Sequence, residues 1–159
     1  MTEKHTISCL VENHFGVLAR VSGLISARGF NIDSLTVSAT EDASISRMTI
    51  VVDADTVKLE QVKRQLDRLI DVIDVKELHE GEFIDRELLL AQVKAEAKAR
   101  GELERIVATF GGKVASTTDH AVVVEAAGDT KTLDRLVEQL RTYGIQKLVR
   151  TGRVALEKT

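Results

Sequence analysis

Proline and tryptophan are both missing from the 159 residues, and aromatics make up only 3% of the chain. Without Pro, no strand edge is blocked from pairing with another strand. With so few rings, the core has to be built from Val, Leu, Ile and Ala. The single cysteine, Cys9, cannot close an internal disulfide and has no second Cys with which to share a metal. Its place between Ser8 and Leu10 reads as a small buried side chain. No run approaches the ~18 apolar residues of a membrane span, and "MTEKHTISCLVEN" lacks the apolar stretch of a signal peptide. The expectation is a reduced, cytoplasmic protein with no membrane partner. Charge of one sign is lacking too: 22 basic and 25 acidic residues are interspersed and leave a net −3. That argues against a nucleic-acid surface and against attraction to anionic lipid.

What is present is a composition of 43% hydrophobic and 30% charged residues, enough for a packed core in one ordinary domain or two very small ones. Residues 5–12 read as a strand with Ile7, Cys9 and Val11 on one face. Val17, Leu18, Val21, Leu24 and Ile25 then recur at helical spacing until Gly29. Strands are expected over 31–40 and 45–54. A helix follows over about 56–70 with Leu59, Val62, Leu66 and Leu69 inward, then a strand over 72–80. The same order then returns. It comprises a strand over 87–95, a helix over 101–112 (Leu103, Ile106, Val107, Phe110) and a hairpin from "KVASTTDH" to "AVVVEAAGD". A helix over 130–144 (Leu133, Leu136, Val137, Leu140) and one closing strand through "IQKLVRTGRVALEK" complete it. Two copies of β-α-β-β-α-β predict an α+β protein of two tandem ferredoxin-like units, 1–80 and 81–159, joined around 79–87. Each unit leaves one sheet face and its edges uncovered, so sheets pairing between chains, and a homodimer, are expected.

Residues for catalysis are sparse. His5, His14, His79 and His120 are scattered, with no i, i+4 pair, so no metal site is expected from them. There is no G-x-S-x-G, P-loop or G-x-G-x-x-G. An acylphosphatase-like enzyme would need an arginine in the phosphate-cradling loop after the first strand. Here that loop is Asn13-His14-Phe15-Gly16, and Arg20 falls one helical turn further on. An RNA-recognition sheet needs aromatics on its central strands, and "TISCLVE" and "SRMTIVV" have none.

The stretch "NHFGVLARVSGLISARGFN" (13–31) is the chemically suggestive one. A strand ending in Asn13 and a Gly at the first helical turn leave backbone N–H groups and the positive end of a helix dipole free for a carboxylate. Gly16 removes the Cβ that would hold a ligand away. Asn13 offers an acceptor to an ammonium and a donor to a carboxylate, and Asn31 could do the same from a facing chain. On these residues alone two readings stay open. One is helix caps at both ends, and the other is a small amino-acid site.

"VENHFGVLARVSGLISARGFNIDSLTV", followed by "SRMTIVV", resembles the regulatory small subunit of acetolactate synthase, whose first domain is an ACT domain. "DRELLLAQVKA" and "FGGKV" extend the likeness over nearly the whole chain. Phe15 departs from the pattern, since ACT domains often carry Pro before this Gly, and is expected to pack locally. The resemblance implies a regulatory protein with no catalysis of its own. Its partner would be a large catalytic subunit that carries thiamine diphosphate, Mg and usually FAD. It would raise that enzyme's activity in branched-chain amino acid biosynthesis and confer feedback inhibition by valine, sometimes leucine or isoleucine. Valine would sit between the ACT domains of two chains, held by Asn13, Gly16, Val17 and Leu18 of one and approached by Asn31 and Ile32 of the other. The second unit lacks a good N-x-x-G loop. Its corresponding turn is expected near "EAKARGELER", with Gly101, and suits docking or dimer stabilisation. A free-standing ACT-type amino-acid sensor acting on a different enzyme is the alternative.

Overall fold

The computed structural model describes residues 3–159. Alternation of apolar residues builds β1 (Glu3–Glu12), followed by α1 (Val17–Ala27), β2 (Asn31–Ala39), β3 (Ile45–Ala54), α2 (Thr56–Leu66) and β4 (Val72–Leu78). The order then repeats as β5 (Phe83–Lys94), α3 (Ala97–Thr109), β6 (Lys113–Thr117), β7 (Ala121–Gly128), α4 (Thr130–Arg141) and β8 (Ile145–Arg150), with a short β9 (Val154–Glu157). The sheets run β2-β3-β1-β4 and β6-β7-β5-β8, with β9 paired to β5, so both repeats share one strand order. The α+β fold of two βαββαβ units is therefore as the periodicity predicts.

Two compact units result. The first runs to Ile84 and also takes in Ala155–Thr159, and the second spans Asp85–Val154. The last five residues, expected with the second unit, thus cluster with the first. There Lys76 Nζ meets Glu157 Oε2 at 3.2 Å, and Lys158 Nζ donates to the Gly81 carbonyl at 2.7 Å.

In the first unit Ile7, Cys9 and Val11 of β1 pack with Met48, Ile50 and Val52 of β3. Val17, Val21, Ile25, Leu59, Val62 and Leu66 of the two helices close over them. In the second, Leu89, Ala91 and Val93 meet Leu103, Val107, Leu133, Leu136, Val137 and Leu140 in the same way. Each helical set recurs at three- and four-residue spacing, which places it on one face. Cys9 is buried, and desolvation pushes its thiol up to about 12, so it behaves as a small apolar side chain.

Several expected boundaries differ, among them the end of α4 at Arg141 in place of 144. The second helix ends at Leu66, and the run to Val72 is made of single turns (Leu69 N–H to Leu66, Val72 N–H to Leu69). β5 begins at Phe83, ahead of the expected start at 87, because Asp85 and Glu87, which read as solvent-facing, share the inward alternation of Leu89, Ala91 and Val93. Arg153 Nε reaches Asp85 at 3.2 Å, and Arg150 pairs with the buried Glu87. α3 begins at Ala97, since Ala97, Lys98 and Ala99 are strong helix formers. Gly101 therefore lies inside the helix and is not a turn. The closing strand is two strands, broken where Gly152 adopts φ 83°.

Candidate functional site

Between β1 and α1 the chain takes four residues, Asn13 to Gly16, to turn from the sheet into the helix. Asn13 is bolted to the β2–β3 turn, its N–H donating to the Ser44 carbonyl at 2.8 Å and its Nδ2 to the Ala43 carbonyl at 2.9 Å. One Nδ2 proton and Oδ1 of Asn13 remain for a ligand. Gly16 is the residue before the helix and sits at φ 81°, ψ −10°, a left-handed conformation that disfavours any Cβ. No side chain caps α1 and no acid lies in its first turn. The first intrahelical bond recorded runs from the Arg20 N–H to the Gly16 carbonyl at 3.0 Å. The N–H groups of Val17, Leu18 and Ala19 thus point out of the helix start, where partial positive charge gathers. The Val17 side chain is buried in the core, so Val17 offers the backbone alone, whereas Leu18 is 43% exposed.

Phe15 does not pack locally. It is 98% exposed, and Ile70 on the neighbouring α2–β4 loop is 93% exposed. The loop is held from beneath by ionic contacts instead. The buried Asp71 receives Arg20 Nε and Nη2 on Oδ2, each at 2.6 Å, and His14 Nε2 lies 2.9 Å from its Oδ1. His14 Nε2 is also 3.0 Å from Glu12 Oε2, and its Nδ1 lies 3.2 Å from the Phe15 carbonyl. That carbonyl first, and then the Glu12 carboxylate, raise the His14 pKa above its ordinary value. Glu12, His14 and Asp71 bring three potential metal ligands within 4.8 Å, a grouping the scattered histidines did not predict. Arg20 already places its cation on Asp71, which opposes a second cation there.

Two signals were missed in the sequence. Asp71 is 51 positions from Arg20 and reads as one more acid beside a strand. Arg20, one turn beyond the loop, does reach it: helical side chains lean toward the N-terminus. A Cβ built on Gly16 would lie 2.8 Å from Arg20 Nη1.

Asn13, Gly16, Val17 and Leu18 come together on this loop and first turn. Asn31 and Ile32 do not join them within one chain. Asn31 pairs with Asp53 at one end of β3 and Ile32 with Val52, while Asn13 follows Glu12, which pairs with Ile45 at the other end. Eight residues of strand separate the two levels, about 26 Å at ~3.3 Å per residue. Asn31 is exposed and makes one long contact, Nδ2 to Asp33 Oδ1 at 3.4 Å, while Ile32 packs partly against the core. Among the described residues, no helix is long and apolar enough to cross a membrane.

Comparison with known proteins matches both units. A family model described as "AHAS small subunit-like ACT domain" matches residues 7–74, and one described as "Small subunit of acetolactate synthase" matches residues 86–159. The chain is 45% identical over 153 residues to the probable acetolactate synthase small subunit of Archaeoglobus fulgidus, covering 96% of each chain. It is 44% identical over 157 residues to the acetolactate synthase small subunit of Mycolicibacterium smegmatis, covering 99% of this chain and 92% of the relative. The crystal structure of the acetolactate synthase small subunit from Thermotoga maritima superposes with a TM-score of 0.89 at 29% identity, over 99% of this chain and 98% of that one.

Proposed function

This chain belongs to the acetolactate synthase small-subunit family, and on that premise we propose that it is the non-catalytic regulatory partner of a large catalytic subunit and responds to valine bound at the start of α1. The observation that carries this is the start of the helix itself. It has free N–H donors, a left-handed Gly16 with no Cβ, no capping side chain and no acid in its first turn, and the nearby Asp71 is already ion-paired with Arg20. Asn13 Oδ1 is available to the α-ammonium group. Valine, leucine and isoleucine share this head group. The large subunit carries the thiamine diphosphate, Mg and FAD chemistry, and the pair works in branched-chain amino acid synthesis in the cytoplasm. The family match over 86–159 favours this reading over a free-standing sensor.

The site is completed by a second copy. β2 is an edge strand of nine residues with no Pro, open to pairing. Two-fold antiparallel pairing centred on Leu35 would set Asn31 of the second copy beside Ala39. Ala39 is level with Ser46 and, across β3, with Val11, two residues short of Asn13. Isologous pairing thus cancels the separation seen within one chain and brings Asn31 and Ile32 of the second copy to the end of the sheet that bears Asn13. A ligand between two copies alters the balance of dimer arrangements by its differential affinity, and the large subunit senses the change if one arrangement fits it better.

The test is acetolactate formation by the large subunit alone, with this chain, and with this chain plus valine. Stimulation by the chain that valine reverses is the expected result. Stimulation indifferent to valine, leucine and isoleucine alike would remove the effector from this reading.

A further inference from the structure

Arg20, in the first turns of α1, reaches back to the effector loop with one nitrogen to spare. Its Nε and Nη2 both donate to Oδ2 of Asp71, whose side chain is only 6% exposed. A guanidinium clamped through two donors on a buried carboxylate cannot sweep freely, so its third nitrogen is held in place. Among the described residues the hydrogen bonds and ion pair of Arg20 run through Nε and Nη2, and the third nitrogen, Nη1, is the atom closest to the space a Gly16 Cβ would fill, at 2.8 Å. Gly16 leads directly into the first turn of α1, where the N–H groups of Val17, Leu18 and Ala19 have no partner within the helix. A loop of this shape without Arg20 would bind a carboxylate by the helix end alone, and here an oriented guanidinium, ion-paired with Asp71, adds a further donor beside it.

We propose that Arg20 is a direct ligand of the effector's α-carboxylate, donating from Nη1 while Asp71 orients it, so that the site selects a free amino acid over neutral analogues of the same shape. This rests on the effector-site reading above. It assigns Gly16 a second purpose besides its backbone conformation, since any side chain there would occupy the space between Nη1 and the ligand. It also gives the buried Asp71 a role, as the anchor that keeps the cation from being lost to solvent.

The experiment is calorimetric titration of the full chain with valine and with valine amide, which keeps the side chain and ammonium and removes the negative charge. Arg20→Gln is expected to weaken valine by about 10- to 100-fold, the worth of a hydrogen bond to a charged group, while changing the amide little. The preference for valine over its amide therefore shrinks by a similar factor. Arg20→Lys keeps the charge without the fork and should recover part of that preference, which also guards against a variant that merely folds poorly. If Arg20→Gln weakens both probes equally, or neither, Arg20 only braces the loop and the proposal is overturned, with the effector site left standing. Failure of the unaltered chain to bind valine at all would overturn the effector reading and this inference with it.

Discussion

The two units repeat one topology, yet their first helices begin in opposite ways. In the first unit four residues link strand to helix, Gly16 turns left-handed, and the helix start is bare of side-chain caps and of acids. In the second, only Ala95 and Glu96 separate β5 from α3. Glu96 precedes the helix at φ −73°, ψ 159°, and makes no cap bond. A carboxylate at that position satisfies the helix dipole internally and repels an incoming anion. No glycine opens space there, because Gly101 is already inside the helix. One fold thus has a glycine-led helix start in one copy and a glutamate-led start in the other, and two residues of loop length with one glycine make the difference. The second unit is the better packed at its last helix, where all four predicted inward residues, Leu133, Leu136, Val137 and Leu140, are buried. Its sequence is tuned for packing, while that of the first is relaxed at one loop.

The contrast can be broken from either side. Leu136→Ala, in the fully buried core of the second unit, should cost about 2–5 kcal/mol of that unit's stability in denaturant unfolding. Valine affinity should change by less than about twofold, since Leu136 and the helix start of the first unit belong to separate cores and share no contact partner. A collapse of affinity as well would mean that the units do not divide the work in this way. Gly16→Asp acts on the other side. The left-handed backbone costs an Asp about 1–2 kcal/mol, and the new side chain displaces Arg20 Nη1 while putting a carboxylate where the ligand's belongs. Titration should show valine affinity reduced by at least about 100-fold, with stimulation of the large subunit retained. Loss of stimulation too would point to damaged folding.

Asn31→His fills the far side of the proposed site and changes its donors. A drop of about 10-fold in valine affinity is expected, the value of one hydrogen bond to a charged group. Smallest is the effect of pH. The Phe15 carbonyl and Glu12 hold the His14 pKa above its ordinary 6.5, so the protonated form is favoured by folding. Its contribution to the loop is then fully present below about pH 6.5 and is lost as pH rises through the raised value. A proton NMR titration should place the His14 midpoint above 6.5, and Glu12→Gln should move it down. A midpoint at or below 6.5 would remove this ion cluster from the account.

Much of the fold was legible because burial leaves periodic traces. Ile7, Cys9 and Val11 alternate as a one-sided strand must, and the α4 quartet recurs at helical spacing. The elements that misled were those where polar residues sit inside. Asp85 and Glu87 masked the start of β5 because arginines supplied from after β7 neutralise them. Gly101 imitated a loop while exposed on a helix. At the site, Asn13 and Gly16 stood out through their backbone demands, whereas the Arg20–Asp71 pair links positions 51 apart, and no local pattern encodes such a contact. Phe15 was expected to pack locally and instead lies in the open.

The central claim is that one effector site is built from two chains, with Gly16 from one and Asn31 from the other. Mixing the Gly16→Asp and Asn31→His chains after denaturation and refolding them together tests it directly. In a mixed dimer one site carries both changes and the other carries neither. With half of the dimers mixed, about a quarter of all sites should regain unaltered valine affinity, although neither variant alone has any. No high-affinity sites in the mixture would contradict the shared site.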